Sequence, residues 1–248
     1  MGERLLSPPL IEALCEFRFT PSTSWDWTLP GRLYERISKE FPERSQLDAI
    51  AVQFELGARS AAPSEFIRGP ERVQMKRVDG SAMVQVGANL LAINHFRPYP
   101  TWEGFRTLIM STLDNYLILA ESAGFVRIGL RYINRLPISA GYFRVNSTIT
   151  VAPSLAGELD RPIQAFYQRY ELAYDAPKGI LIHQTGMLED DLGRGILLDL
   201  DFGSTEPPSV TVGESLETWL DEAHTRIYDA FVASLVPEVY EQLLRGEP

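Results

Sequence analysis

The chain has 248 residues, 45% of them hydrophobic, which suits one large core and speaks against a disordered scaffold. With 23 Lys and Arg against 33 Asp and Glu, the net charge of −10 argues against a surface built for nucleic acid or an anionic membrane; a basic protein is the easier electrostatic partner. The single cysteine, Cys15, excludes an intramolecular disulfide, a CxxC redox pair and a cysteine zinc cluster, and points to a reducing compartment.

No apolar run approaches the roughly 20 residues that span a bilayer. MGERLLSPPL also lacks the basic start and long apolar stretch of a signal peptide, so the chain is expected in the cytoplasm.

After Pro8 and Pro9, Ile11, Ala13, Cys15, Phe17 and Phe19 alternate with Glu12, Leu14, Glu16 and Arg18, the period of a strand with one apolar and one charged face. Pro21 to Trp27 reads as a turn-rich connection. Leu33, Tyr34, Ile37 and Phe41 then recur at helical spacing until Pro42 stops them. Residues 44–70 hold one short apolar stretch, AIAVQFEL, and the Pro- and Gly-punctuated loop RSAAPSEFIRGP. RVQMKRV and SAMVQVGANLLAI flank Asp79-Gly80, a pair suited to a type I′ turn, and predict a β-hairpin with its tip at Asp79.

In NHFRPYPTW, Thr101 is placed to cap a helix, because its hydroxyl can accept a first-turn N–H that has no partner inside the helix. Trp102, Phe105, Ile109, Leu113, Tyr116, Leu117 and Ala120 follow at helical steps as far as Gly124. The next strand is GFVRIGLRYINRL, residues 124–136. Residues 141–163 form an irregular connection, strand-like in FRVNSTITV. RYELAY, ILIHQT and GILLDLDF predict three more strands, the last two joined through GMLEDDLGRG. SLETWLDEAHTRIYDAFVASL is a helix with the stripe Leu216, Trp219, Leu220, Ala223, Ile227, Phe231 and Leu235.

This order predicts an α+β fold, an antiparallel sheet packed against long amphipathic helices in one compact domain over residues 1–248. Two fused similar halves, 1–139 and 140–248, are the alternative, since each holds a hairpin followed by a long helix, although no residue-level repeat is visible.

The candidate site lies on charged strand faces. In residues 124–136, Arg127, Arg131 and Arg135 share one face with Gly129 and Ile133, while Val126, Ile128, Leu130, Tyr132 and Asn134 take the other. Acid rows recur at the same period: Glu12 and Glu16 in the first strand, Asp199 and Asp201 in ILLDLDF. Either these carboxylates pair with Arg131 and Arg135 across the sheet as internal ion pairs, or the face lines a cleft where Arg131 and Arg135 hold an anionic ligand or an acidic segment and Glu12, Glu16, Asp199 and Asp201 orient them. A third reading has Asp199 and Asp201 hold a divalent ion with Glu189, Asp190 or Asp191, but a DxD pair is common by chance.

His95, His183 and His224 show no metal-ligand spacing, and His224 stands one helical turn from Asp221, a spacing more typical of a surface ion pair than of an acid/base dyad. No GxSxG, Walker A or GxGxxG motif occurs, so no catalytic residue, metal or cofactor is assigned. Phe96, Arg97, Tyr99 and Trp102 would form an interaction patch if exposed, or a hydrophobic staple at the helix start if buried. Val239, Leu243 and Leu244, beyond Pro237, could dock on the chain itself or on a partner.

PPLIEALCEFRF, NHFRPYPTWEGF and IGLRYINRLPI, followed by ILLDLDF, together resemble an uncharacterised, sporadically distributed bacterial and archaeal family of proteins of about this length, over most of the chain. The resemblance implies no active site or cofactor. It implies membership of mobile or conflict-related modules such as toxin–antitoxin and phage-defence systems. The expected function is a non-enzymatic, cytoplasmic protein-binding or accessory subunit, antitoxin-like, whose protein partner is a basic toxin or nuclease; direct nucleic-acid and membrane binding are not expected, and homo-oligomerisation stays open. The alternative is an enzyme or ligand-binding protein whose polar cleft takes a nucleotide, a phosphosugar or a divalent ion.

Overall fold

The computed structural model describes residues 5–21, 25–47, 72–120, 122–138, 145–153, 163–205 and 213–246. The AIAVQFEL stretch, the RSAAPSEFIRGP loop and much of residues 141–163 lie outside them.

In chain order the elements are β1 (Leu10–Pro21), α1 (Leu29–Ile37), β2 (Glu43–Leu47), β3 (Arg72–Lys76), β4 (Ala82–Gly87), β5 (Leu90–Phe96), α2 (Trp102–Leu117), β6 (Ser122–Pro137), β7 (Tyr167–Asp175), β8 (Lys178–Asp190), β9 (Gly193–Ser204), α3 (Glu214–Ser234) and α4 (Pro237–Arg245). The strands form one sheet in the order β2-β3-β4-β5-β1-β6-β9-β8-β7, antiparallel throughout. The fold is therefore α+β. β1 and β6 lie side by side in the middle. From β1 the sheet continues through β5 and β4 to β3 and β2; from β6 it continues through β9 and β8 to β7.

The apolar period of each strand decides where the helices settle. Ala13, Cys15, Phe17 and Phe19 of β1 are buried, in register with Leu91, Ile93 and His95 of β5 and with Ile128, Leu130 and Tyr132 of β6. α2 covers this face by stacking Tyr116 on Phe19 at 4.8 Å and setting Phe105 edge-on to His95 at 6.2 Å. α3 covers its other half through Trp219 on Phe202 and His224 on Tyr132. α1 braces α2, with Arg36 Nε donating to Asn115 Oδ1 at 2.9 Å. All seven residues of the predicted α3 stripe, from Leu216 to Leu235, are buried.

Several local expectations change. SAMVQVGANLLAI is two strands, not one: β4 and β5 are joined by a tight turn at Ala88-Asn89, where Asn89 adopts φ 55, a left-handed conformation that Asn tolerates better than most residues. The turn at Asp79-Gly80 forms, with Gly80 N–H on the Arg77 carbonyl at 3.0 Å, but Gly80 alone has positive φ (69), so it is not type I′. The Asp79 carboxylate instead accepts the Ser81 N–H (2.9 Å) and hydroxyl (2.7 Å), and these bonds hold its pKa below the usual carboxylate value. His95 lies in β5, and β2 was not foreseen. Thr101 caps α2 as expected, accepting from Gly104 N–H at 3.2 Å, yet the helix ends at Leu117, short of Gly124.

The tail after Pro237 docks on its own chain. Leu243 is buried, and its carbonyl accepts the N–H groups of Leu6 and Ser7, both at 3.1 Å. Among the described residues, no helix is long and apolar enough to cross a membrane.

Phe105 is fully buried and ties α2 to β5 through the rings of His95, Tyr99 and Trp102. Truncation to Phe105→Ala is expected to cost about 3–5 kcal/mol, read as a lower urea midpoint with an unchanged slope.

Candidate functional site

The face turned away from α2 and α3 carries the charge. Because register sets paired residues on the same side, Glu12 and Glu16 of β1, Arg127, Arg131 and Arg135 of β6, and Asp199 and Asp201 of β9 all come to one surface. Arg131 sits opposite Leu14 on β1 and Asp201 on β9. Its guanidinium nevertheless closes diagonally on Asp199, with Nε on Oδ1 at 2.8 Å and Nη2 on Oδ2. The Asp199 hydrogen bonds, followed by the fields of Asp199, Asp201 and Glu12, raise the Arg131 pKa above the ordinary arginine value.

Two chains of hydrogen bonds run inward, one ending on Glu12 and one on Asp199. From the β2 edge, Ser45 donates to Gln74 (3.4 Å), Gln74 to Gln85 (3.3 Å), Gln85 to Asn94 (2.9 Å), and Asn94 to Glu12. From the β7 edge, the Tyr167 hydroxyl (2.5 Å) and Arg169 (3.2 Å) donate to Gln184, whose amide donates to Asp199 at 3.2 Å. Gln74, Gln85 and Asn94 are buried, and a buried amide is stable only when its hydrogen bonds are made. Each is satisfied by the strand beside it.

A second row lies four residues earlier on β6. Glu16 faces three arginines: Arg18 at 2.8 Å, Arg127 at 3.6 Å and Arg72 at 3.9 Å. Arg127 also reaches Asp201 at 3.1 Å. It lies across the paired Gly129 and Gly203, where an added Cβ would come within 2.4 Å and 2.8 Å of its guanidinium. The two glycines thus make a notch for the side chain. Burial pushes the Asp201 pKa up, against the lowering fields of Arg127 and Arg131.

The predicted site residues share a face but do not all pair as expected. Arg131 takes Asp199. Arg135 pairs with neither Asp199 nor Asp201; it holds Asp190 through Nε (2.7 Å) and Nη2 (2.8 Å) and the Gly193 carbonyl at 2.9 Å, because the β8–β9 turn brings that carboxylate beside it. Asp190 and Asp199, weighed as metal ligands, are each closed by a guanidinium. Among the described residues no cluster of His, Cys, Asp and Glu has the arrangement of a metal site.

The residues around the start of α2 are used internally. Arg97 donates to the carbonyls of Leu10 (2.6 Å) and Pro9 (3.0 Å), fixing the start of β1, and Phe96 is half-buried opposite Glu12. The Tyr99 hydroxyl meets that of Tyr132 at 2.7 Å. Trp102 packs against the core and donates Nε1–H to Asp221 at 2.7 Å, an acceptor it shares with Arg106. Asp221 therefore does not pair with His224, which instead stacks on Trp102 with centroids 4.4 Å apart and planes 7° apart. Burial lowers the His224 pKa from 6.5 to about 4, although Asp221 and Glu103 pull it upward.

Sequence reasoning missed several participants. Gln85 and Asn94 each stand as one amide in an otherwise largely apolar strand, which was the available signal, whereas Gln74 sits in the mixed strand RVQMK and gave none. A cavity of about 350 Å³ was also missed. It lies between α1 and the ends of β2 and β3, lined by Trp25, Trp27, Tyr34, Arg44, Arg72 and Met75 among others, with Arg44 4.9 Å over the Tyr34 ring. Its signal was the pair Trp25 and Trp27 in a turn-rich connection. A second cavity, about 320 Å³, lies beside Ala176, Asp221 and Arg226. Neither is lined by Arg131, Arg135, Glu12, Glu16, Asp199 or Asp201.

The Arg131 side chain is 36% exposed and that of Asp199 only 5%, so removing the cation strands a buried anion. Arg131→Leu is expected to cost about 3 kcal/mol, and adding Asp199→Leu to recover most of it; chemical denaturation of both variants measures the difference. His224 is neutral in both folded and unfolded chains above pH 6.5, whereas below it the unfolded chain binds the proton that the fold refuses. Stability should therefore fall from pH 6.5 toward 4, and more steeply than in His224→Phe, which keeps the stack; melting temperature against pH reads this out. No family model and no curated protein matches the chain.

Proposed function

We propose that the protein is a non-enzymatic, cytoplasmic protein-binding or accessory subunit, antitoxin-like or part of a phage-defence module as the sequence resemblance implies. The observation that carries this reading is the closure of the arginine row: Arg127, Arg131 and Arg135 each hold a carboxylate of the same sheet. A face so neutralised has little capacity left to grip a small anion, but it is a broad, patterned surface on a stable support. The net charge of −10 favours a basic partner such as a toxin or nuclease, since charge complementarity speeds encounter and fixes orientation. The β6–β9–β8–β7–α3 arrangement reads as the counterpart of β1–β5–β4–β3–α2, so two fused similar halves would present two related surfaces.

The test is co-purification from the native host at about 150 mM salt, with the retained proteins identified by mass spectrometry. A basic protein in stoichiometric amount, released as salt rises, is the expected result. Retention of no other protein counts against the reading.

The cavity at Trp25 and Trp27 favours a second reading, a ligand-binding protein. The exposed Trp27 indole, with half-buried Trp25 and Tyr34 beside Arg44 and Arg72, suits an aromatic anion such as a nucleotide, stacked on the indole with its charge on the guanidiniums. A nucleotide at a hundred times its dissociation constant would add roughly 2.7 kcal/mol of stability. A flat thermal-shift series sets this second reading aside.

A further inference from the structure

β7 ends the sheet, and among the described residues no strand pairs with its outer edge. It runs for nine residues, and all but Gln168 and Tyr174 are exposed. Tyr170 and Leu172 are each 43% exposed and share one face with Tyr174, while Arg169 and Glu171 lie on the other. A long edge strand carrying an apolar row is a template for another strand unless something covers it.

The strand is complementary to itself. Run antiparallel to a copy about a two-fold axis at Leu172, it sets Leu172 against Leu172, Tyr170 against Tyr174, and Arg169 against Asp175, with the last two contacts made twice. Apolar side chains meet on one face, and opposite charges meet at both ends of the paired segment 169–175. An axis at Tyr170 would also bring Arg169 to Glu171, but it would leave Leu172 against Gln168. The same patch facing itself is the commonest route to a symmetric dimer.

We infer that β7 is a homodimer interface, joining two copies of the chain edge to edge into one continuous sheet through residues 169–175. One strand pair is small for an obligate interface, so the dimer is reversible. It leaves the charged face of each copy free on both sides of the axis.

The test is sedimentation velocity of the full chain from about 1 to 100 µM, the range in which a small interface exchanges. The mass should rise from 27.9 kDa toward twice that value. Leu172→Lys, at an exposed position, should stay folded by circular dichroism and remain monomeric. Arg169→Asp should weaken association about tenfold, and adding Asp175→Arg should restore it. Leu172→Cys should form a disulfide-linked dimer on mild oxidation, without competition from buried Cys15. A chain monomeric throughout, or a dimer indifferent to Leu172→Lys and to the charge exchange, overturns the assignment. Because this reads the mass of the purified chain alone, it succeeds or fails independently of whether another protein is captured from the host.

Discussion

The guanidinium of Arg131, with Asp199 bound along one edge and Glu12 near it, is the point on which the polar side of the sheet converges. Hydrogen-bond donors face inward from both sheet edges and end on these carboxylates. Such chains polarise along their length, and an anion at the end of each gives every amide a reason to point one way. The cation between the anions makes their burial tolerable. Without it, two carboxylates would stand on the strands flanking β6 with only neutral donors to stabilise them, and buried charge of that kind is strongly unfavourable.

The opposite face is organised by shape. Rings of Phe19, Phe125, Tyr116, Phe105, Tyr99 and Trp102 succeed one another under α2, and Tyr132, His224, Phe202 and Trp219 continue the series under α3. His95 and His224 belong to this aromatic layer, and burial keeps both neutral at ordinary pH. His183 is similar: its Nε2 meets Ser234 at 2.7 Å, linking β8 to the end of α3. The chain's three histidines thus act as packing groups with one polar contact or stacked ring each.

Much of this could be read from residue order. Period-two alternation in β1, β6 and β9 revealed both faces of the central strands, and the stripe from Leu216 to Leu235 revealed the buried side of α3. Partner choice was less visible, because it depends on register. Arg135 turns to Asp190, whose sequence position suggests only a loop carboxylate, since the β8–β9 turn folds it back along the strand. Arg127 belongs to the network because Gly129 and Gly203 fall opposite each other, a coincidence that only strand pairing creates. The break between β4 and β5 was hidden by an apolar run that continues on both sides of Asn89. The amide ladder was hidden for a related reason: Gln74, Gln85 and Asn94 are distant or unremarkable in sequence and become one feature only when three strands align.

The position of β1 has a consequence for how the chain comes to be folded. It is the first strand made, yet it lies between β5 and β6, and the residues just before it are bonded to the carbonyl of Leu243 near the other end of the chain. Glu16 meets Gly129, and Leu6 waits for the last helix. Contacts of such long sequence separation form slowly, because the loop they close costs entropy before any contact compensates. During synthesis the row Ala13, Cys15, Phe17 and Phe19 therefore emerges long before its covering strand and helices exist, and the nascent chain carries an unshielded apolar ribbon until more than half of it has left the ribosome. A strand made first and sealed only by distant partners is one whose apolar row calls for shielding during synthesis.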